Sequence, residues 1–197
     1  MSGGRHPAFD DEQESNVQIG IILGSVRDGR VGEEVAQWVA QRAEGRAATY
    51  ELIDLKSFNL PVLTWETVPG AAKKQYEHDP VKEWSRAIDA CDGYIFVTPE
   101  YNHSVPGAFK NAVDWLGPEW NAKTVGLVSY GAESGVRAVE HWRQIMANFS
   151  MMVVRPQVSM STFLEWEDDA FSPNERRPKE LDNLFEAVEK SIGQQLL

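Results

Sequence analysis

At 197 residues, with 42% hydrophobic and 25% charged side chains, the chain is long enough to bury one ordinary globular core. A net charge of −11 and the lack of any Lys/Arg cluster exclude a nucleic-acid-binding face, which needs excess positive charge. No apolar run reaches the roughly 18 residues of a membrane span. A single cysteine, Cys91, excludes an internal disulfide and a multi-cysteine metal centre, and its place just before a buried strand predicts inert packing.

Residues 1–16 are polar and acidic and lack a basic-then-apolar export signal, so a disordered tail on a cytoplasmic protein is expected. Residues 17–197 are expected to form one domain. Val17 to Leu23 reads as a buried strand, and Gly32 to Glu44 as a helix with Val35, Ala36, Val39 and Ala43 on one face. Thr49 to Leu55 alternates like a strand. Asp79-Pro80 predicts an N-cap and first turn, opening a helix that turns Val81, Trp84, Ala87 and Ile88 inward. Gly93 to Val97 is the next strand, followed by a helix from Gly107 to about Leu116 and a strand from Thr124 to Val128. A loop from Ser129 to Ser134 leads to a long helix through Asn148. Met151 to Val154 reads as the last strand and Leu181 to Leu196 as the closing helix. Lys56 to His78 and Glu165 to Arg177 are long connections rich in Pro, Trp and charge, a pattern of functional or disordered segments. The charge run from Glu165 to Asp169 reads as a solvated loop.

Repeated strand–helix units with buried strands predict a three-layer α/β/α fold around a parallel sheet. Five strands suit the flavodoxin-like order 2-1-3-4-5, whose ligand crevice lies at the switch point between strands 1 and 3. Three loops would then meet at one edge.

The first, Gly24-Ser25-Val26-Arg27-Asp28-Gly29-Arg30-Val31-Gly32, joins the first strand to the first helix. Its glycines let backbone approach an anion, and the helix start offers free N–H groups. Ser25 adds a hydroxyl, and Arg27 and Arg30 add charge-assisted donors, a set that matches a terminal monophosphate. An ordinary glycine-rich turn with solvated arginines is the plainer reading. The spacing narrowly misses a P-loop: Arg30 replaces the lysine, and Val31 the magnesium-binding hydroxyl. The dinucleotide fingerprint is absent.

The second loop follows Val97. Pro99 and Pro106 stiffen it, Tyr101 offers a ring, and Asn102 offers both a donor and an acceptor. Main-chain groups from Glu100 to Asn102 suit a pyrimidine-like edge, and Ser104 either caps the turn or reaches the phosphate. A rigid connection in which Asn102 and Ser104 satisfy their own backbone is the alternative.

Gly24-Ser25-Val26-Arg27, Pro99-Glu100-Tyr101-Asn102-His103-Ser104-Val105-Pro106-Gly107 and Lys110-Asn111-Ala112-Val113-Asp114-Trp115 together resemble the NAD(P)H-dependent FMN reductases of the flavodoxin-like superfamily. The resemblance runs from about Val17 to Phe149, and its second motif is long and specific. It implies non-covalent FMN, NADPH or NADH as co-substrate, a small-molecule acceptor such as a quinone or free flavin, and a homodimer or homotetramer. Carried over, Ser25, Arg27, Arg30 and Val31 would hold the phosphate. Pro99, Glu100, Tyr101 and Asn102 would line the ring and ribityl chain, with Ser104 near. The third loop, Ser129-Tyr130-Gly131-Ala132-Glu133-Ser134-Gly135, resembles the family's second ring-contacting segment, with Ala132 in place of a more usual glycine, so Ser129, Tyr130 and Gly131 would lie at the ring.

Hydride transfer from nicotinamide to flavin requires no dedicated acid or base, so no catalytic residue is assigned. His103 either touches nicotinamide or an acceptor oxygen, or faces solvent or a partner subunit. His141 reads as packing or interface. Trp38, Trp84 and Trp142 read as core or interface, whereas Trp65 and Trp166 either wall a cleft or pack. The competing function is a flavodoxin-like electron carrier whose acidic surface docks basic partners. Against it, flavodoxins use a hydroxyl-rich phosphate loop, and this one is arginine-rich.

Overall fold

The computed structural model describes residues 17–195, in which five apolar runs form one parallel sheet. The elements are β1 (Gln18–Leu23), α1 (Gly32–Ala43), β2 (Thr49–Asp54), α2 (Leu55–Phe58), α3 (Asp79–Asp89), β3 (Gly93–Pro99) and α4 (Gly107–Asp114). β4 (Thr124–Gly131), α5 (Val136–Ala147), β5 (Met152–Ser161), β6 (Trp166–Glu167), β7 (Ala170–Phe171) and α6 (Arg177–Gln195) complete them. The sheet order is β2-β1-β3-β4-β5, all pairs parallel, as the strand–helix alternation predicted. β3, buried at every position, is the central strand, because helices cover both of its faces. One face carries α1 and α6 over Ile19, Ile21, Ile95 and Val128. The other carries α3, α4 and α5 around Trp84, Trp120 and Trp142.

Several boundaries move. β4 continues to Gly131, so Ser129, Tyr130 and Gly131 close a strand and the loop shrinks to 132–135. β5 runs on through Arg155-Pro156 to Ser161, with a register shift opposite Val125 to Leu127. An edge strand tolerates proline because one side needs no ladder donor. Asp79 is the first helical residue and does not cap; its carboxylate accepts from Lys82 at 2.7 Å. The tail expected over 1–16 lies outside the described residues.

Both long connections are ordered. Residues 59–78 are pinned by Glu119, fully buried, which accepts from Tyr76 at 2.9 and 3.1 Å, Ser85 at 2.6 Å and the Gly117 N–H at 3.2 Å. Trp65 packs there against Tyr76 and Trp115. Residues 162–177 fold as the β6–β7 hairpin closed by Glu165. The solvated reading fails for that residue: Glu165 is fully buried and accepts from Arg177 at 2.7 Å and from Asn174 at 2.6 and 2.7 Å. Its neighbours Glu167 to Asp169 are exposed. Cys91 is buried, and burial pushes its thiol up to about 11, so it stays protonated and inert.

Candidate functional site

Parallel order places the loops after β1, β3 and β4 at one edge, and a side-chain bond joins the first two. Ser25, almost fully buried, shares a hydrogen bond of 3.0 Å with the Tyr101 hydroxyl. The Arg27 guanidinium lies 5.9 Å from the Tyr101 ring centroid and makes no hydrogen bond or ion pair among the described residues. The β1 turn is tight for a steric reason. A Cβ on Gly24 would sit 2.0 Å from the Phe109 ring, and Gly29 turns with φ of 63°.

Arg30 does something different from Arg27. All five of its N–H groups are engaged: two by Asp54 at 2.6 and 2.8 Å, two by Glu33 at 2.7 and 2.9 Å, and one by the Ser25 carbonyl. Those bonds shape the turn from behind and leave no Arg30 donor for a ligand. Hydrogen bonding from Asp54 raises the Arg30 pKa further, so its charge is permanent. Burial opposes ionisation of Asp54, but the Arg30 bonds, the Lys56 N–H and the charges of Arg30 and Lys56 together outweigh it and hold that carboxyl below its usual range. Asp54 escaped the sequence reading, although β2 pairs with β1 and puts Asp54 level with Leu23, beside the turn.

The helix behind this turn starts without a side-chain cap at Val31, which is itself partly exposed. Tyr130 reaches the same point from β4: a Cβ on Gly32 would lie 2.2 Å from its hydroxyl. That hydroxyl is buried with no hydrogen-bond partner among the described residues, and burial raises its pKa, keeping it protonated. An unpartnered phenol, an uncapped helix start, the Ser25 hydroxyl and an unpaired guanidinium form a donor set that lacks an acceptor. These residues fit a phosphate of the FMN type.

The second loop is a two-residue turn. Tyr101 and Ser104 exchange backbone bonds of 3.0 and 3.1 Å, and Asn102 and His103 stand exposed at its tip. Pro99 ends β3, buried. The Glu100 carboxylate turns away to α5, accepting from the Arg137 side chain at 2.6 Å and its N–H at 3.1 Å. Only the Glu100 main chain is left toward the loop edge, and its N–H donates to the Tyr130 carbonyl. Ser104 shares a 2.7 Å hydrogen bond with His141 Nδ1, a pairing the packing assignment of His141 did not anticipate. Ser129 is fully buried, donates to the Ser134 carbonyl and shares a hydrogen bond with the Ser159 hydroxyl, while the Gly131 carbonyl accepts from the Ser134 and Thr162 N–H groups. Ser129 and Gly131 therefore set the shape of the third loop.

A crevice at the strand 1/strand 3 switch point with a phosphate-type turn defines a flavodoxin-like protein of the flavin-binding kind. The NADPH-dependent FMN reductase family model matches residues 17–165, and the chain belongs to that family. It is 38% identical over 156 residues to the NAD(P)H-dependent FMN reductase ntnL of Nectria sp, covering 77% of this chain and 78% of that one. It is 31% identical over 147 residues to the quinone reductase of Escherichia coli K12, covering 70% and 73%. Among solved structures, the flavoenzyme NAD(P)H:(acceptor) oxidoreductase FerB of Paracoccus denitrificans shares the fold. Its TM-score is 0.68 at 20% identity, over 89% of this chain and 98% of that one. The β6–β7 hairpin and α6 lie beyond the family match. Among the described residues, no helix is long and apolar enough to cross a membrane.

Proposed function

We propose that this chain holds FMN non-covalently and passes hydride from NADPH or NADH to a small acceptor, a quinone or a free flavin. The observation that carries the reading is the Ser25–Tyr101 contact, which brings the two loops together with Arg27 unpaired beside them. Bound FMN supplies the redox chemistry; the protein binds and orients. Ser25, Arg27 and the first-turn N–H groups after Val31 hold the phosphate end. Arg30 keeps that turn in shape through Asp54 and Glu33. The main chain from Pro99 to Asn102, with Tyr101 and Asn102 side chains, takes the ring edge. The Tyr130 hydroxyl joins the phosphate end at the first turn of α1, and Gly131 stands beside Glu100 at the ring edge.

The absorbance spectrum of fresh protein, before and after anaerobic NADPH, tests the cofactor: a flavin band that bleaches is expected, and colourless protein that ignores micromolar FMN would sink the reading. NAD(P)H oxidation with a quinone, without any partner protein, separates a reductase from an electron carrier. Replacing Arg27 by Ala removes a charge-assisted contact of roughly 1.5–3 kcal/mol and should weaken FMN about 10- to 150-fold. Unchanged affinity would take Arg27 out of the site. A cytoplasmic homodimer or homotetramer completes the proposal; light scattering after gel filtration tests the assembly.

A further inference from the structure

The 101–104 turn is under strain, and its supports are identifiable. Asn102 and His103 both have positive φ, 48° and 72°. A two-residue turn of this hand favours Asn-Gly, because a side chain at the second position crowds its own backbone. His103 occupies the glycine position, and its ring is exposed at the tip. Such a conformation persists only when surrounding contacts enforce it.

Two side-chain contacts do so from outside the turn. At its start, the Tyr101 hydroxyl is tied to Ser25 at 3.0 Å. At its end, Ser104 Oγ is tied to His141 Nδ1 at 2.7 Å. His141 stands on α5, which is fixed by the buried residues Ala138, Val139, Trp142 and Met146. The neighbouring Trp142 indole donates to Thr98 Oγ1 at 3.0 Å, locking α5 to the end of β3, the strand that feeds the turn. His141 is thus a rigid post at the Ser104 end of a strained turn whose Tyr101 end is held by Ser25.

We propose that His141 is a positioning residue for the ring end of the flavin site, acting through Ser104. The inference rests on the flavin reading and adds a residue to it. Without this bond, Ser104 is released, the 102–103 backbone relaxes, and the main-chain groups of Glu100 to Asn102 lose the alignment a flat ring requires. The phosphate turn meets the 101–104 turn at its other end, through Ser25 and the Tyr101 hydroxyl, and makes no contact with the Ser104–His141 bond.

That separation supplies the test. FMN and riboflavin differ only in the phosphate, and both can be titrated by quenching of flavin fluorescence. His141→Phe keeps a ring in place and deletes the hydrogen bond; His141→Asn restores a polar atom near the Nδ1 position. His141→Phe should weaken FMN and riboflavin by the same factor, about 5- to 10-fold for one neutral hydrogen bond. His141→Asn should recover most of that loss, and Arg27→Ala should weaken FMN alone. Ser104→Ala removes the same bond from its other end, so it should reproduce the loss, and the double variant should add nothing. If His141→Phe fails to fold, the Ser104→Ala comparison decides. Unchanged affinity in the folded variants, or a loss confined to FMN, overturns the role of His141, as does an Asn variant no better than Phe. Wild-type protein that quenches neither flavin overturns the underlying flavin reading itself.

Discussion

Residues 59–78 and 162–177 are two irregular stretches among the described residues, and each is organised by a buried glutamate. Glu119 holds the first with neutral donors drawn from α3, the turn after α4, and the segment itself. Glu165 holds the second with a guanidinium only twelve positions away in the chain, plus Asn174 between them. The first arrangement ties a connection to distant elements; the second closes a connection on itself. The electrostatic stakes differ too. A carboxylate among hydroxyls loses hydrogen bonds when altered, whereas a carboxylate against Arg177 leaves an uncompensated buried charge.

The largest effect should come from breaking the charged anchor. Arg177→Met leaves Glu165 buried and unpaired, at a cost of about 3–5 kcal/mol, read as a lower midpoint in urea denaturation. Adding Glu165→Gln to that variant should recover part of the loss, and failure to do so would remove charge as the cause. Glu119→Gln keeps the size and one acceptor but offers an N–H to groups that themselves donate. It should cost about 1–3 kcal/mol, with faster proteolysis within 59–78. Equal losses in the two single variants would erase the distinction drawn between the anchors.

The smallest effect concerns the ion pair at the phosphate turn, which is part open to solvent. Asp54 has its folded pKa held below the unfolded value near ~3.9. Its contribution is therefore fully present above that value and is lost as pH falls through the lower folded one. The stability gap between wild type and Asp54→Asn should be under about 1 kcal/mol at pH 7. It should shrink further below pH ~4, measured by denaturation across that range. A gap that widens on acidification would mean the pair does not stabilise the turn.

What the amino-acid order determined by itself was the alternation of buried strands and amphipathic helices, hence a parallel sheet; the 2-1-3-4-5 order suited five such strands, and strand pairing in the fold fixed it. Short-range chemistry was equally legible: glycines in the first turn, prolines that stiffen the second loop, a donor-rich stretch after β1. Tertiary structure alone decided how donors and acceptors were allotted. Arg27 and Arg30 look alike in the sequence, yet Asp54, delivered by strand pairing, takes up Arg30, while Arg27 meets no acceptor among the described residues and lies over the Tyr101 ring. Glu100 faces α5 because Arg137 waits there, and Glu165 is buried because Arg177 folds back onto it. Hydrophobic periodicity is a property of neighbours along the chain, so it can be read directly. The partner of a charge is whichever group the fold brings within about 3 Å, and no local pattern records it.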